Sequence, residues 1–315
     1  MHFNGFAKRL SCLLAAVLFL AAPAPSVLAN PTGGVVVAGS ATIGPAGQTL
    51  TINQSSANAV INWQQFSIAS GELTKFLVPG SSSATLNRVL GGNPSAIYGT
   101  LQSNGILYLI NPSGIVVGPG GRIDTASFIG STLDVSNDEF LRRGNLHFLG
   151  TSDAAIDNQV TIHASDGDVY LIASQVTNSG ALRAPKGEVG LAAGTDVLYA
   201  QAGDQHLFIQ PTPAGATRAL GVTNSGTIRA ASAELRAAGG NAYALAINNT
   251  GSISASGYKK IGGEVYLTAE GGDITNSGKI AAHNSNGNGG TIVLNGYGTA
   301  STGTVLNSGQ LQAAG

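Results

Sequence analysis

With 43% hydrophobic residues, the 315-residue chain carries enough apolar material for one large core. A formal net charge of −1 and only 10% charged residues exclude the basic footprint of a nucleic-acid or anionic-membrane binder. Its single cysteine excludes a disulfide framework, while 45 glycines alongside abundant Ser, Thr and Asn favour many short strands joined by tight turns.

In chain order, residues 1–29 come first and read as a cleavable secretory leader. Lys8 and Arg9 precede an apolar run over residues 10–22, and Val27-Leu28-Ala29 supplies a small-residue cleavage site. The run is shorter than the ~20 apolar residues that a bilayer core requires, and Pro23 and Pro25 follow it, so a membrane span is not expected. Cleavage after Ala29 starts the mature chain at Asn30. Cys12 leaves with the leader, so the mature chain enters an oxidising compartment with no cysteine to cross-link it. Loss of Lys8 and Arg9 also makes it more acidic.

Between residues 33 and 128 the strands are varied, at 35–38, 49–53, 59–68 and 105–110, and no repeat is evident. An atypical opening segment suits a solenoid, whose end would otherwise expose an unpaired strand edge, and Trp63 is assigned to that capping core. The one helix expected is short: Ser136 and Glu139 form a capping box ahead of Phe140 and Leu141.

From residue 158 a repeat emerges. Asn-x-x-x-(Ile/Leu)-x-Ala begins at Asn158, Asn178, Asn224, Asn249, Asn276 and Asn307. Gly-x-(Val/Ile)-x-Leu-x-(Ala/Gly) begins at Gly167, Gly187, Gly263 and Gly290, with a weaker copy at residues 233–237. The second pattern trails the first by nine residues in three coils and by fourteen in two, so two strands recur in register around a loop that accepts insertions. Those insertions fall at Gly257-Tyr258-Lys259-Lys260 and at residues 284–289. Alternation puts Ile228 and Ala230 on one face and Thr227 and Arg229 on the other. One coil cannot bury such a face alone, whereas coils stacked at ~4.8 Å can, which predicts an all-β, right-handed parallel β-helix. Asn followed by Ser-Gly is placed at the corners, where both Asn and Gly tolerate left-handed backbone and equivalent Asn side chains can bond from coil to coil. Asn-to-Asn spacings of 20 to 31 residues disfavour a propeller, whose blades run roughly 40 to 50 residues. The wider interval after Asn178 contains residues 201–221, with Pro211-Thr212-Pro213 between apolar segments, and reads as an extra-helical hairpin.

Residues 60–68 (Val-Ile-Asn-Trp-Gln-Gln-Phe-Ser-Ile), Asn87-Arg88-Val89, Ile110-Asn111-Pro112-Ser113-Gly114-Ile115 and residues 131–137 (Ser-Thr-Leu-Asp-Val-Ser-Asn) together resemble the haemagglutination-activity domain of two-partner secretion exoproteins. Filamentous haemagglutinin and the high-molecular-weight adhesins belong to that family, and the sequence is closer to the adhesins. The resemblance covers residues 30–240, with further β-helix repeats over 241–315 that read as truncated after Gly315. The family's Asn-Pro-Asn-Gly-Ile motif maps onto Asn111, Pro112, Ser113, Gly114 and Ile115, with Ser113 departing from Asn. A second motif, Asn-Pro-Asn-Leu, has a partial echo beginning at Asn93 and Pro94. The resemblance implies export by the general secretory machinery through the periplasm of a Gram-negative bacterium. It further implies recognition by an outer-membrane transporter barrel with periplasmic domains, delivery to the cell surface, and room for a host or bacterial surface receptor. A purely structural reading stands beside it, because Asn, Pro, Ser and Gly at successive positions are also the preferred residues of a type I turn.

The rival class is a β-helical polysaccharide-active enzyme, for which Asp166 and Asp168, with Asp196 and Asp204, are the available carboxylates. Asp166-Gly167-Asp168 sits where a repeat begins and reads as a solvated turn. His147, His163, His206 and His283 are scattered and read as surface residues, so no metal site, catalytic set or cofactor is expected. The same secretion domain on a haemolysin or a contact-dependent toxin is the other alternative.

Overall fold

The computed structural model describes residues 29–201, 203–210, 221–238, 245–296 and 303–314. Their strands stack as a right-handed parallel β-helix. In the coil made of Gln175–Asn178 and Ala181–Ala193, Val176, Leu182, Ala184, Val189, Leu191 and Ala193 are all buried in one continuous core. The following coil places Val222, Ile228, Ala230, Ala233, Leu235 and Ala237 at the paired positions. A register shift between Ala184 and Glu188 bends the long strand where one side of the coil gives way to the next.

Each regular coil therefore has three strands rather than the two expected. The additional strand is the stretch that ends on the repeat Asn, and its inward residue lies two positions earlier: Ile156, Val176, Val222, Ile247 and Ile274. Those strands form a separate eight-stranded sheet from Ser95–Ile97 to Val305–Asn307. The inserted residues after Gly257 and Asn284 are turns outside the strands, with Gly257, Lys259 and Gly287 at positive φ.

Coils also begin well before the visible repeat. Thr49–Gln54 pairs in parallel with Leu73–Leu77, and Asn58–Trp63 with Ala84–Val89. Only Val35–Ala38 and Ala41–Ile43 depart, running antiparallel to Asn58–Trp63 and Thr49–Gln54 as a cap over the first coil. Trp63 is 1% exposed, stands edge-on to Phe66 at 5.6 Å, and donates from Nε1 to Asn87 Oδ1 at 2.9 Å.

A second core lies outside the solenoid. Ser136 Oγ accepts from the Glu139 backbone N–H at 3.2 Å and donates to Glu139 Oε2 at 2.9 Å, opening the helix Asn137–Arg142, whose Phe140 is buried. Leu146–Leu149, Asp196–Tyr199 and Leu207–Ile209 form an antiparallel sheet beside it. Together they cover the outward residues Leu86, Tyr108, Ile129, Tyr170 and Ile172. Val169–Ala173 is consequently buried on both faces, which accounts for its unbroken apolar run. The expected excursion is seen in its Leu207–Ile209 strand, and it starts earlier than residue 201, at Asp196. Pro211-Thr212-Pro213 and the leader residues 1–28 lie outside the described residues.

Candidate functional site

The segment 111–115 is a corner between Ile106–Ile110 and Ile115–Val117. Gly114 N–H donates to Asn111 O at 3.0 Å, closing a four-residue turn with Pro112 at its second position. Asn111 is fully buried and its amide is saturated: Nδ2 donates to Asn93 O at 3.0 Å and to Ser95 Oγ at 2.9 Å, while Oδ1 accepts from Ser113 N at 2.9 Å. Gly114 has φ +108°, and a Cβ there would lie 3.2 Å from Ala155 O, so both backbone conformation and close approach select glycine. Pro112 is exposed, and its carbonyl accepts from Ser152 Oγ at 2.6 Å.

Asn93 and Pro94 occupy the equivalent corner one coil below, because Ile115–Val117 pairs in register with Ser95–Ile97. The two motif segments are therefore stacked, and the Asn111 side chain joins them. The other residues quoted for the resemblance converge nearby. Arg88 Nε pairs with Asp134 Oδ1 at 2.8 Å, Nη1 donates to Asn137 Oδ1 at 2.8 Å, and Nη2 donates to Val135 O at 2.7 Å. Asn87 meets Trp63, and Asn111 N–H donates to Ser131 O at 2.9 Å. Blocks separated in sequence thus form one connected network over the early coils. Arg88 and Ser95 are its key partners that sequence reasoning did not assign.

The repeat asparagines stand in a file, each paired in register with the next. Nδ2 of Asn158, Asn178, Asn224, Asn249 and Asn276 donates to Oδ1 of the following member at 2.8, 2.7, 2.7, 2.6 and 2.6 Å. None of the six has positive φ, and neither do Gly180, Gly226, Gly251, Gly278 and Gly309 of the adjoining corners. The left-handed-backbone explanation for Asn-Ser-Gly is thus overturned; a Cβ on Gly226 would lie 2.1 Å from Gly180 O, so the glycine is selected by contact between coils. Asn224→Ala should cost about 2–3 kcal/mol, since it leaves the buried Asn178 Nδ2 without its acceptor Asn224 Oδ1 and the buried Asn249 Oδ1 without its donor Asn224 Nδ2. Asn307→Ala, which removes only one bond of the file, that from Asn276 Nδ2, should lower the urea midpoint less than Asn224→Ala.

The rival carboxylates do not converge on a catalytic pair. Asp166 is exposed and ion-paired with Lys186 at 2.6 Å, which holds its carboxyl below the usual range. Asp168 is half-buried rather than solvated: desolvation raises its pKa, and its Oδ1 accepts from Glu188 N at 2.8 Å. Asp196 pairs with His147 at 2.6 Å, and His163 faces Asp124 at 3.4 Å from the outer face. His206 is not a free surface residue, since its Nδ1 lies 2.8 Å from the buried Glu188 Oε2. The Glu188 hydrogen bond raises the His206 pKa, and burial pushes Glu188 up to about 7.

A capped parallel β-helix with a polar network around its early corners defines a class of β-solenoid domain. The family model for the TPS secretion domain matches residues 28–282, and the chain belongs to that family. The match runs past residue 240, consistent with coils that continue without a break in pairing from Thr227–Ala237 to Ser252–Ala255. The crystal structure of the HMW1 secretion domain from Haemophilus influenzae aligns over 90% of this chain and 74% of that one, with 32% identity and a TM-score of 0.75. The filamentous hemagglutinin secretion domain aligns over 90% of this chain and all of its own at 18% identity and a TM-score of 0.57, a likeness of fold. A heme/hemopexin-binding protein of Haemophilus influenzae is 29% identical over 260 residues, covering 79% of this chain. The chain spans 28% of that relative's length.

Proposed function

We propose that this domain is the secretion signal of a large exported surface protein, an adhesin or haemagglutinin, and that a cognate outer-membrane transporter barrel recognises it. The supporting observation is the stacked pair of corners at Asn93-Pro94 and residues 111–115, inside a chain that belongs to the TPS secretion domain family. Residues 1–29 direct it to the general secretory machinery and the periplasm. Residues 30–240 carry recognition, and 241–315 contribute further coils. The folded corner buries Asn111, so recognition takes place before the coils close, when the segment is extended and can add to a sheet edge of the transporter's periplasmic domains. Adhesion to a host or bacterial surface, rather than haem-carrier capture, haemolysis or toxin delivery, is the favoured activity of the whole protein.

The test compares export with stability. Replacing Asn111 and Pro112 together by Ala should reduce export through the cognate barrel far more than Ile280→Ala, a core truncation in a late coil expected to cost about 2–5 kcal/mol. Export is read as secreted protein per cell, and stability as the urea midpoint of refolded protein. Equal export of the two variants, or export without a barrel, would leave the corner with a structural role only.

A further inference from the structure

Glu188, His206 and Glu234 come from three separate segments and meet at the edge of the extra-helical sheet. Glu188 and Glu234 point outward from neighbouring coils, where Glu188 pairs with Ser232 and Gly190 with Glu234. Gly190 leaves room between them; a Cβ there would lie 2.4 Å from the Tyr170 ring and 2.6 Å from Leu207 Cδ1. His206 immediately precedes the strand Leu207–Ile209 and closes over both carboxylates. One donor atom from each of the three residues lies within 4.8 Å of the others.

The polar accounting of this cluster is incomplete. Glu188 Oε2 meets His206 Nδ1 at 2.8 Å and Ser232 Oγ at 3.1 Å, yet Glu188 Oε1 is buried with no hydrogen-bond partner. Glu234 Oε1 accepts from His206 N–H at 2.7 Å, and Oε2 accepts from Leu207 N–H at 3.1 Å and Arg236 Nε at 3.0 Å. With the half-buried Asp168 bonded to Glu188 N–H, three carboxylates share one guanidinium and one imidazole. A buried carboxylate oxygen without a partner is costly, and a cation is the ligand that would both satisfy it and offset the excess negative charge.

We propose that Glu188, His206 and Glu234 bind one divalent cation of the Zn2+ class, clipping the extra-helical hairpin to the solenoid. Imidazole with two carboxylates is a borderline donor set; Ca2+ and Mg2+ take six or more oxygens. Binding uses the lone pair of His206 Nδ1, so the proton shared between that nitrogen and Glu188 Oε2 leaves to solvent. Metal bonds of about 2.0–2.2 Å at tetrahedral angles hold neighbouring donor atoms roughly 3.4 Å apart. His206 Nδ1 and Glu188 Oε2, now at 2.8 Å, therefore part slightly as the three donors, already within 4.8 Å of one another, turn onto one centre. The imidazole and the Glu188 carboxyl can make this change by rotation about their terminal torsions. The site lies away from the 111–115 corner and does not depend on the secretion reading.

The experiment is a Zn2+ titration of the purified secreted protein, freed of metal with a chelator and dialysed, followed by calorimetry in two buffers of different ionisation enthalpy. A single saturable equivalent is expected, with a buffer-dependent heat reporting proton release and an increase in the thermal midpoint. His206→Ala and Glu188→Gln should each weaken binding by about tenfold or more. Both should keep the circular dichroism spectrum of the parent, and Glu188→Gln, which keeps the shape of a carboxyl, its metal-free midpoint as well; His206→Ala lowers that midpoint by taking a partner from the buried Glu188. His163→Ala, on the outer face beside Asp124, should bind as the parent does. No saturable binding, equal binding by the parent and both cluster variants, tighter binding of Ca2+ than of Zn2+, or loss on His163→Ala overturns the proposal.

Discussion

Ile228→Asp should lower the stability of the domain by several kcal/mol, whereas Arg229→Asp, one residue along the same strand, should shift it by less than about 0.5 kcal/mol. Ile228 is fully buried and sits in register between Leu182 and Ile253, so a carboxylate there would be enclosed by apolar neighbours above and below. The aliphatic contacts alone are worth about 2–5 kcal/mol, and desolvation of an unpaired charge adds to that loss. Arg229 is exposed and pairs in register with Arg183. Aspartate at 229 replaces a like-charge neighbour with an opposite one, which offsets the loss of the arginine's own contacts. Urea midpoints of the two variants, compared with the parent at unchanged slope, decide the matter. Similar midpoints would mean that the strand faces are assigned the wrong way round.

Gly226→Ala should be nearly as damaging although it adds a single methyl group. The new Cβ would lie 2.1 Å from Gly180 O, a backbone atom that cannot rotate away. The same contact recurs at Gly251, Gly278 and Gly309, at 2.2, 2.0 and 2.1 Å from the carbonyl of the coil before. Relief requires the coils to part locally, at the expense of the Thr227 N–H to Gly180 O bond at 2.8 Å and the Asn178–Asn224 amide bond at 2.7 Å. Overpacking together with weakened hydrogen bonds sets the loss at about 2–4 kcal/mol. Gly47→Ala is the matched control. Nothing lies within 4 Å of its added Cβ and its φ is not positive, so the substitution should be neutral or stabilise by a few tenths of a kcal/mol. Thermal midpoints that fall equally in the two variants would remove the close-contact explanation.

The parts of the fold that were legible are those in which side-chain alternation and coil register coincide. Asn224-x-x-x-Ile228-x-Ala230 announces an inward face, and the constant offset to the next pattern announces a solenoid. The strand that ends on each Asn was equally written, as Ile156-x-Asn158, Val176-x-Asn178 and Ile274-x-Asn276, but taking the Asn as the start of the repeat hid it. The early coils were not legible as repeats because their outward positions carry core residues of their own: Leu86, Tyr108 and Ile129 lie beneath the helix and the extra sheet, so alternation is erased. Val169–Ala173 carried that signal as an apolar run too short for a helix. The cluster of Glu188, His206 and Glu234 had no signal in spacing at all. Its members are brought together by a hairpin folding back over the coils, a contact that no periodicity of the chain encodes. The 111–115 corner was legible from turn chemistry and family resemblance together, while its link to Asn93 depended on knowing which coil lies beneath it.

The antiparallel cap has a consequence for assembly. Val35–Ala38 and Ala41–Ile43 oppose the direction of every coil strand they touch, so the end they cover cannot template another parallel coil. The amino-terminal side of the stack is thereby closed to strand addition in the coil direction, a zipper with its stop sewn at that side.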